Sequence, residues 1–181
     1  MIKRSLVLLL AVLMCISCTG CIEPVEKNDK PGEPIAAQDS QMNIANPIKE
    51  MSREELIEQT GIDLGAPDGA SDMVYSMISL SEGSPIAQLR FVLEGHELCL
   101  RAQKVAGENA LDISGMYYDW ETTEHLFVSL NYAVVYLAED VGYVKWIDAP
   151  KAIQYSLSMM EAADKDTLIS LAEAVYEPLK N

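Results

Sequence analysis

Residues 86–104 constrain the fold more tightly than any other stretch of the chain. Ala87, Leu89, Phe91 and Leu93 alternate with Gln88, Arg90 and Glu94. After Glu94-Gly95 the chain returns over 96–104 with Leu98, Leu100 and Ala102 on its apolar side. A period of two puts one set of side chains on each face of a pleated strand. Two such runs around a two-residue turn predict a β-hairpin with one face against a core. Short segments of the same character recur at 73–80, 116–120, 124–130, 132–137, 143–147 and 153–159. In the last, Ile153, Tyr155, Leu157 and Met159 oppose Gln154, Ser156 and Ser158. Strands so closely spaced predict an antiparallel meander, because parallel neighbours need long crossovers.

Two helical segments flank these strands. Ser52-Arg53-Glu54-Glu55 has the form of a capping box, Ser at the N-cap with Glu three residues on. It predicts a short helix over 53–60, with Gly61 just past its end. Near the C-terminus Leu168, Leu171, Ala172, Val175 and Leu179 repeat at helical spacing, Ile169 widens the stripe, and Asp164 stands where an N-cap is needed. An apolar helix stripe must be covered, and a one-sided sheet is the available cover. The expected class is α+β: a single domain over 46–181, an antiparallel sheet of about seven strands with a short N-terminal helix and a C-terminal helix packed on one face. A chain of 181 residues, 49% hydrophobic, has enough apolar material for one such core.

The first 45 residues read as an address and a tether. Lys3 and Arg4 precede the apolar run 6–16, which is of signal-peptide length and too short for a permanent span. Ser17-Cys18-Thr19-Gly20-Cys21 follows and resembles a bacterial lipobox, with Cys21 as the lipid-attachment residue and Cys18 as the alternative. Cys18 also stands three positions before Cys21, where a lipobox usually has Leu. The reading is a lipoprotein signal peptide over 1–20 and a flexible stalk over 21–45, where Pro24, Pro31 and Pro34 accompany Asn, Asp and Gly. The expected location is the extracytoplasmic face of the cell membrane.

Cleavage before Cys21 leaves 11 basic against 28 acidic residues, a net charge of −17. So acidic a body excludes nucleic acid as a partner. It is also repelled by anionic lipid, so acyl chains and not electrostatics would hold it at a membrane. Cys99 is then the one other cysteine, with no disulfide partner, and is expected to be buried as a small hydrophobe.

Several stretches together resemble a family: Thr60-Gly61-Ile62, Leu64-Gly65-Ala66-Pro67 with Gly69-Ala70, and Gln88, Phe91, Leu93, Gly95, Glu97 and Arg101-Ala102. The most distinctive is Asp112-Ile113-Ser114-Gly115-Met116-Tyr117-Tyr118 with Trp120. Gly142-Tyr143, Trp146 and Tyr155-Ser156-Leu157-Ser158-Met159 complete the pattern. Over about 46–179 the chain is similar to an uncharacterised extracytoplasmic domain found in lipoproteins of Gram-positive gut bacteria. That resemblance implies no activity, cofactor or catalytic residue.

The residues themselves offer little catalytic chemistry. There is no nucleophile elbow, zincin motif, Ser-x-x-Lys pair or phosphate loop. His96 and His125 would need carboxylate or thiol help to hold zinc. Asp112, Asp119, Glu121 and Glu124, and likewise Asp63, Asp68 and Asp72, lack the spacing of a calcium loop and read as solvated acidic faces. No metal and no cofactor is expected. The aromatics Tyr117, Tyr118, Trp120, Tyr132, Tyr136, Tyr143, Trp146 and Tyr155 come from consecutive segments. Facing the helices they are core; on the open face they form a platform. Tyr118, Trp120, Tyr143 and Trp146 are the candidate surface-binding residues. The expected function is a non-enzymatic binding module for an envelope protein, peptide or glycan. The alternatives are a carrier of a lipid or other apolar ligand between sheet and helix, and an enzyme with an unrecognised acid/base pair.

Overall fold

A computed structural model describes residues 47–105 and 111–180. The expected signal peptide, lipid-bearing Cys21 and stalk lie outside the described residues. The elements run β1 (Ile48–Glu50), α1 (Arg53–Thr60), β2 (Ser71–Ile78), β3 (Ile86–Leu93), β4 (His96–Lys104), β5 (Thr122–Val128), β6 (Asn131–Ala138), β7 (Val141–Asp148), β8 (Ile153–Met159), α2 (Lys165–Tyr176) and a 3-10 turn (Glu177–Lys180). The class is α+β, with one antiparallel sheet. It has eight strands, ordered β1-β2-β3-β4-β8-β7-β6-β5.

Four details of the expectation need correction. The strand expected at 116–120 makes no ladder, while β1 adds an edge strand that three residues of sequence did not signal. The short helix has the predicted caps: Ser52 and Glu55 form the box, and Gly61 takes φ 66°. It follows β1, however, and so is not the first element. Nor is the sheet one meander. The strands β1–β4 and β5–β8 form two meanders joined where β4 pairs with β8, Leu100 opposite Leu157.

One face of the sheet carries the apolar core. Leu89, Leu100, Leu157 and Val144 lie side by side across four strands, all fully buried. The α2 stripe Leu168, Leu171, Ala172 and Val175 is buried in the same cluster, with Leu56 of α1. Gly142 on β7 allows this close fit, since a Cβ there would stand 3.0 Å from Leu168 Cδ1 and 2.9 Å from the Tyr136 carbonyl. Trp146 stacks on Tyr155 at 5.3 Å, and Tyr176 of α2 meets both rings edge-on. The Tyr176 hydroxyl donates to Asp148 Oδ2 at 2.8 Å, giving a buried carboxylate a partner. Asp164 caps α2 by accepting from the Thr167 N–H at 3.0 Å.

Candidate functional site

The site lies on the other face of the sheet. Strand register places three side-chain rows there. The first is Phe127, Tyr132, Ile147, Gln154 and Gln103. The second is His125, Val134, Lys145, Ser156, Arg101, Gln88 and Ser76. The third is Tyr136, Tyr143, Ser158, Cys99 and Arg90. This is the polar side that alternation assigned to solvent, yet Gln88, Gln103, Gln154, Ser156 and Ser158 are all buried. The reason is the connection from β4 to β5. These strands sit four places apart in the sheet, and residues 111–121 of this crossing connection lie on this face, against Arg101 at Ile113 and Ser114 and against Tyr136 and Tyr143 at Trp120.

Most buried polar groups beneath the crossing are tied together, as the dry environment requires, with Ser156 Oγ the exception among the described residues. Gln88 Nε2 donates to Ser76 Oγ at 2.9 Å, and Arg101 Nε donates to Gln88 Oε1 at 2.8 Å. Arg101 Nη1 then reaches up to the crossing chain and donates to the carbonyls of Ile113 and Ser114 at 3.1 and 2.7 Å. A charged donor gripping two backbone carbonyls is a strong clamp. Gly115, at φ 67°, allows the guanidinium to pass, since a Cβ there would collide with it. Asp112 Oδ1 accepts from the Ser114 N–H at 2.9 Å and Ser114 Oγ accepts from the Met116 N–H at 3.2 Å. These local bonds replace the missing ladder, and Ile113 and Met116 point down into the face. A second chain of amides runs from Gln154 through Gln103 to the Ser84 carbonyl.

Further along the crossing, Trp120 rests edge-on against Tyr136 and Tyr143, with centroids at 5.9 and 5.1 Å, and Tyr118 leans on Trp120. Tyr136 and Tyr143 are stacked at 4.7 Å, and Lys145 Nζ lies 5.1 Å from the Tyr136 centroid. Burial, then Asp112 and Tyr136, push the Tyr143 hydroxyl above its ordinary pKa. Burial likewise raises the Cys99 thiol, against the pull of Arg101.

Between the start of the crossing and strands β6, β7 and β8 lies a cleft of about 180 Å³. Leu111, Ile113, Tyr132, Val134 and Ile147 form apolar walls, and Gln154 and Ser156 lie at its base. Leu111, Tyr132 and Ile147 are also exposed, so the mouth is apolar. Phe127 meets Tyr132 edge-on at 6.1 Å, while His125 stacks on Tyr132 and its Nδ1 is bonded to the Tyr132 hydroxyl. Leu130, also exposed, stands in the turn joining β5 to β6.

The four candidate surface aromatics are therefore divided. Tyr118 is exposed and Trp120 half-buried, both on the crossing chain. Tyr143 and Trp146 are 2% and 1% exposed and are corrected to interior residues. Three positions apart on one strand, they point to opposite faces and cannot share a surface. Tyr143 is covered by Trp120, and Trp146 belongs to the helix side. His96 and His125 are separated by three strands. Among the described residues no three His, Cys, Asp or Glu side chains converge on a metal position. Several of the acidic groups are paired: Asp63 with Arg53 at 2.8 Å and Glu124 with Lys165 at 3.1 Å.

Sequence reasoning missed Arg101, Ser156, Leu111 and the exposed Phe127–Tyr132 pair as residues of one place. The available signal was Ser156 and Ser158 with Gln154. Small serines on a central strand allow another segment to lie close above it. No family model, curated protein or solved structure matches the chain.

Proposed function

We propose that the chain is a non-enzymatic binding module, tethered through lipidated Cys21 to the extracytoplasmic face of the membrane, as the lipoprotein resemblance implies. Its stalk would carry the domain clear of the bilayer. Its partner would be an envelope protein, peptide or glycan. The observation that carries this reading is the apolar rim on the helix-free face. Leu111, Tyr132 and Ile147 come from three segments, stay exposed, and surround one cleft. Exposed apolar groups gathered around a concavity are the usual mark of a binding surface. Among the described residues no helix is long and apolar enough to cross a membrane.

The carrier alternative draws no support from the helix–sheet interface. There Leu168, Leu171, Ala172 and Val175 fill the space against the sheet.

The test is photo-crosslinking in intact cells from position 127, beside Tyr132 of the cleft rim, and from position 173, on α2. Partner adducts from 127 and none from 173 are the expected outcome, with Tyr132→Ser abolishing them. Equal adducts from both positions would overturn the assignment of the face. For the anchor, Cys21→Ala should move the protein out of the membrane fraction; a shift with Cys18→Ala instead would reassign the lipid.

A further inference from the structure

The geometry points to a ligand class for the cleft: a single neutral phenol ring, entering ring-edge first with its hydroxyl toward Ser156. This deepens the proposed binding function and rests on it. Four observations carry the inference. The first is size. At about 180 Å³ the cleft is slightly larger than a cavity of about 150 Å³ that holds benzene. It has room for one ring and one small substituent.

The second is the wall chemistry, which is Leu111, Ile113, Val134 and Ile147 with the Tyr132 ring. The third is Ser156. It is 2% exposed, lines the cleft, and among the described residues its Oγ has no hydrogen-bond partner. A buried hydroxyl without a partner favours an occupant that can bond to it. An acyl methyl or a plain phenyl would leave it unpaired; a phenolic hydroxyl, donor and acceptor at once, would not.

The fourth is charge. Lys145 lines the cleft, but its ammonium lies over the Tyr136 ring, one row away from Ser156. Asp112 also lines it, with Oδ1 engaged by the Ser114 N–H. With one carboxylate and one ammonium in its lining, the cleft carries no net charge to favour an anion or a cation. A neutral ring meets neither group as a like charge. The same chemistry has two sources, the tyrosine side chain of a peptide and a free small phenol, and the exposed mouth admits both.

The test uses the full chain in detergent, with free probe concentration fixed by dialysis, and reads methyl NMR shifts of Ile113, Val134 and Ile147. The probes are p-cresol, toluene and the tripeptide N-acetyl-Gly-Tyr-Gly-amide. p-Cresol is expected to saturate these shifts at about tenfold lower concentration than toluene, the worth of one hydrogen bond. Ser156→Ala should bring that ratio to about one without moving the toluene curve. Tripeptide binding at or below the p-cresol concentration assigns the source as peptide; binding by p-cresol alone assigns it as a free phenol. Equal binding of toluene and p-cresol by the unsubstituted chain would overturn the phenol class while leaving the cleft a binding site. No response to any probe would overturn the ligand proposal, and the crosslinking experiment would still judge the face by itself.

Discussion

The two faces of this sheet are both covered, but by different means. On one, helix α2 packs an apolar stripe against β7 and β8, in one cluster with Leu157 and Val144, and the contact is held by side-chain packing. On the other, a strand-to-strand connection lies across serines, glutamines and an arginine, and the contact is held by directed hydrogen bonds. Packing is non-directional and tolerates no gaps. A hydrogen-bonded cover holds at the points where its bonds fall and can leave room between them. The cleft beside Ser156 lies on the second face. The comparison explains how a ligand-sized space can open beneath the crossing.

The difference can be tested by breaking each cover in turn. Leu157→Ala, at a fully buried site beneath the helices, should cost about 3–4 kcal/mol in denaturant unfolding. Arg101→Met removes the clamp while keeping the aliphatic stem. It should cost about 2 kcal/mol, and should speed amide exchange over 111–121 far more than over α2. If exchange rose equally in both places, the covers would not be independent. Gly115→Ala, which crowds the Arg101 guanidinium at positive φ, should reproduce that local pattern at about 1 kcal/mol.

Titration offers gentler probes. Tyr155 on the helix face and Tyr143 beneath the crossing are both pushed above the usual value of 10.0, chiefly by burial. A raised phenol disfavours its ionised form in the folded state. Its contribution is complete below about pH 10 and is lost as pH rises through the folded value. Tyr155→Phe and Tyr143→Phe should each flatten the alkaline fall of the melting temperature, showing that both faces exclude water. The smallest effect belongs to Asp164. Bonds from Thr167 hold its carboxyl below the usual 3.8, so its contribution stands above that pH and is lost as pH falls through the folded value. Asp164→Asn keeps a capping oxygen and should lose less melting temperature on acidification than the unsubstituted chain.

Much of the fold was legible because the sheet alternates so regularly. The bounds of β3, β4 and β8 match the apolar periods, and the Glu94-Gly95 turn supplied its own glycine. The capping box marked α1 to the residue. Two turns were harder. Ser129-Leu130 and Glu139-Asp140 join their hairpins with Ser129 and Glu139 at positive φ and without glycine, so no local residue announces them. The segment 116–120 misled for a physical reason. Its aromatic residues are β-formers by type, but only Met116 is buried while Tyr117, Tyr118 and Asp119 are all exposed, so the alternation expected of a strand is absent. The site was less legible still. Its parts, Leu111, Tyr132, Ile147 and Ser156, are brought together by strand order, which no local pattern encodes.

That strand order also governs when the molecule can be completed. β4 is made early, but its second neighbour is β8, with bonded pairs separated by 51 and 59 residues. A chain synthesised from its N-terminus therefore finishes the β1–β4 meander with one long edge unsatisfied, a template for wrong pairing. The edge closes only when the second meander has returned to it, a slow, non-local step. The crossing chain rests on Tyr136 of β6 and Tyr143 of β7 and lines one cleft with β8, so it can settle only after those strands are in place. The face beneath the crossing thus forms only after the second meander is built, and its appearance reports that β6, β7 and β8 are in place.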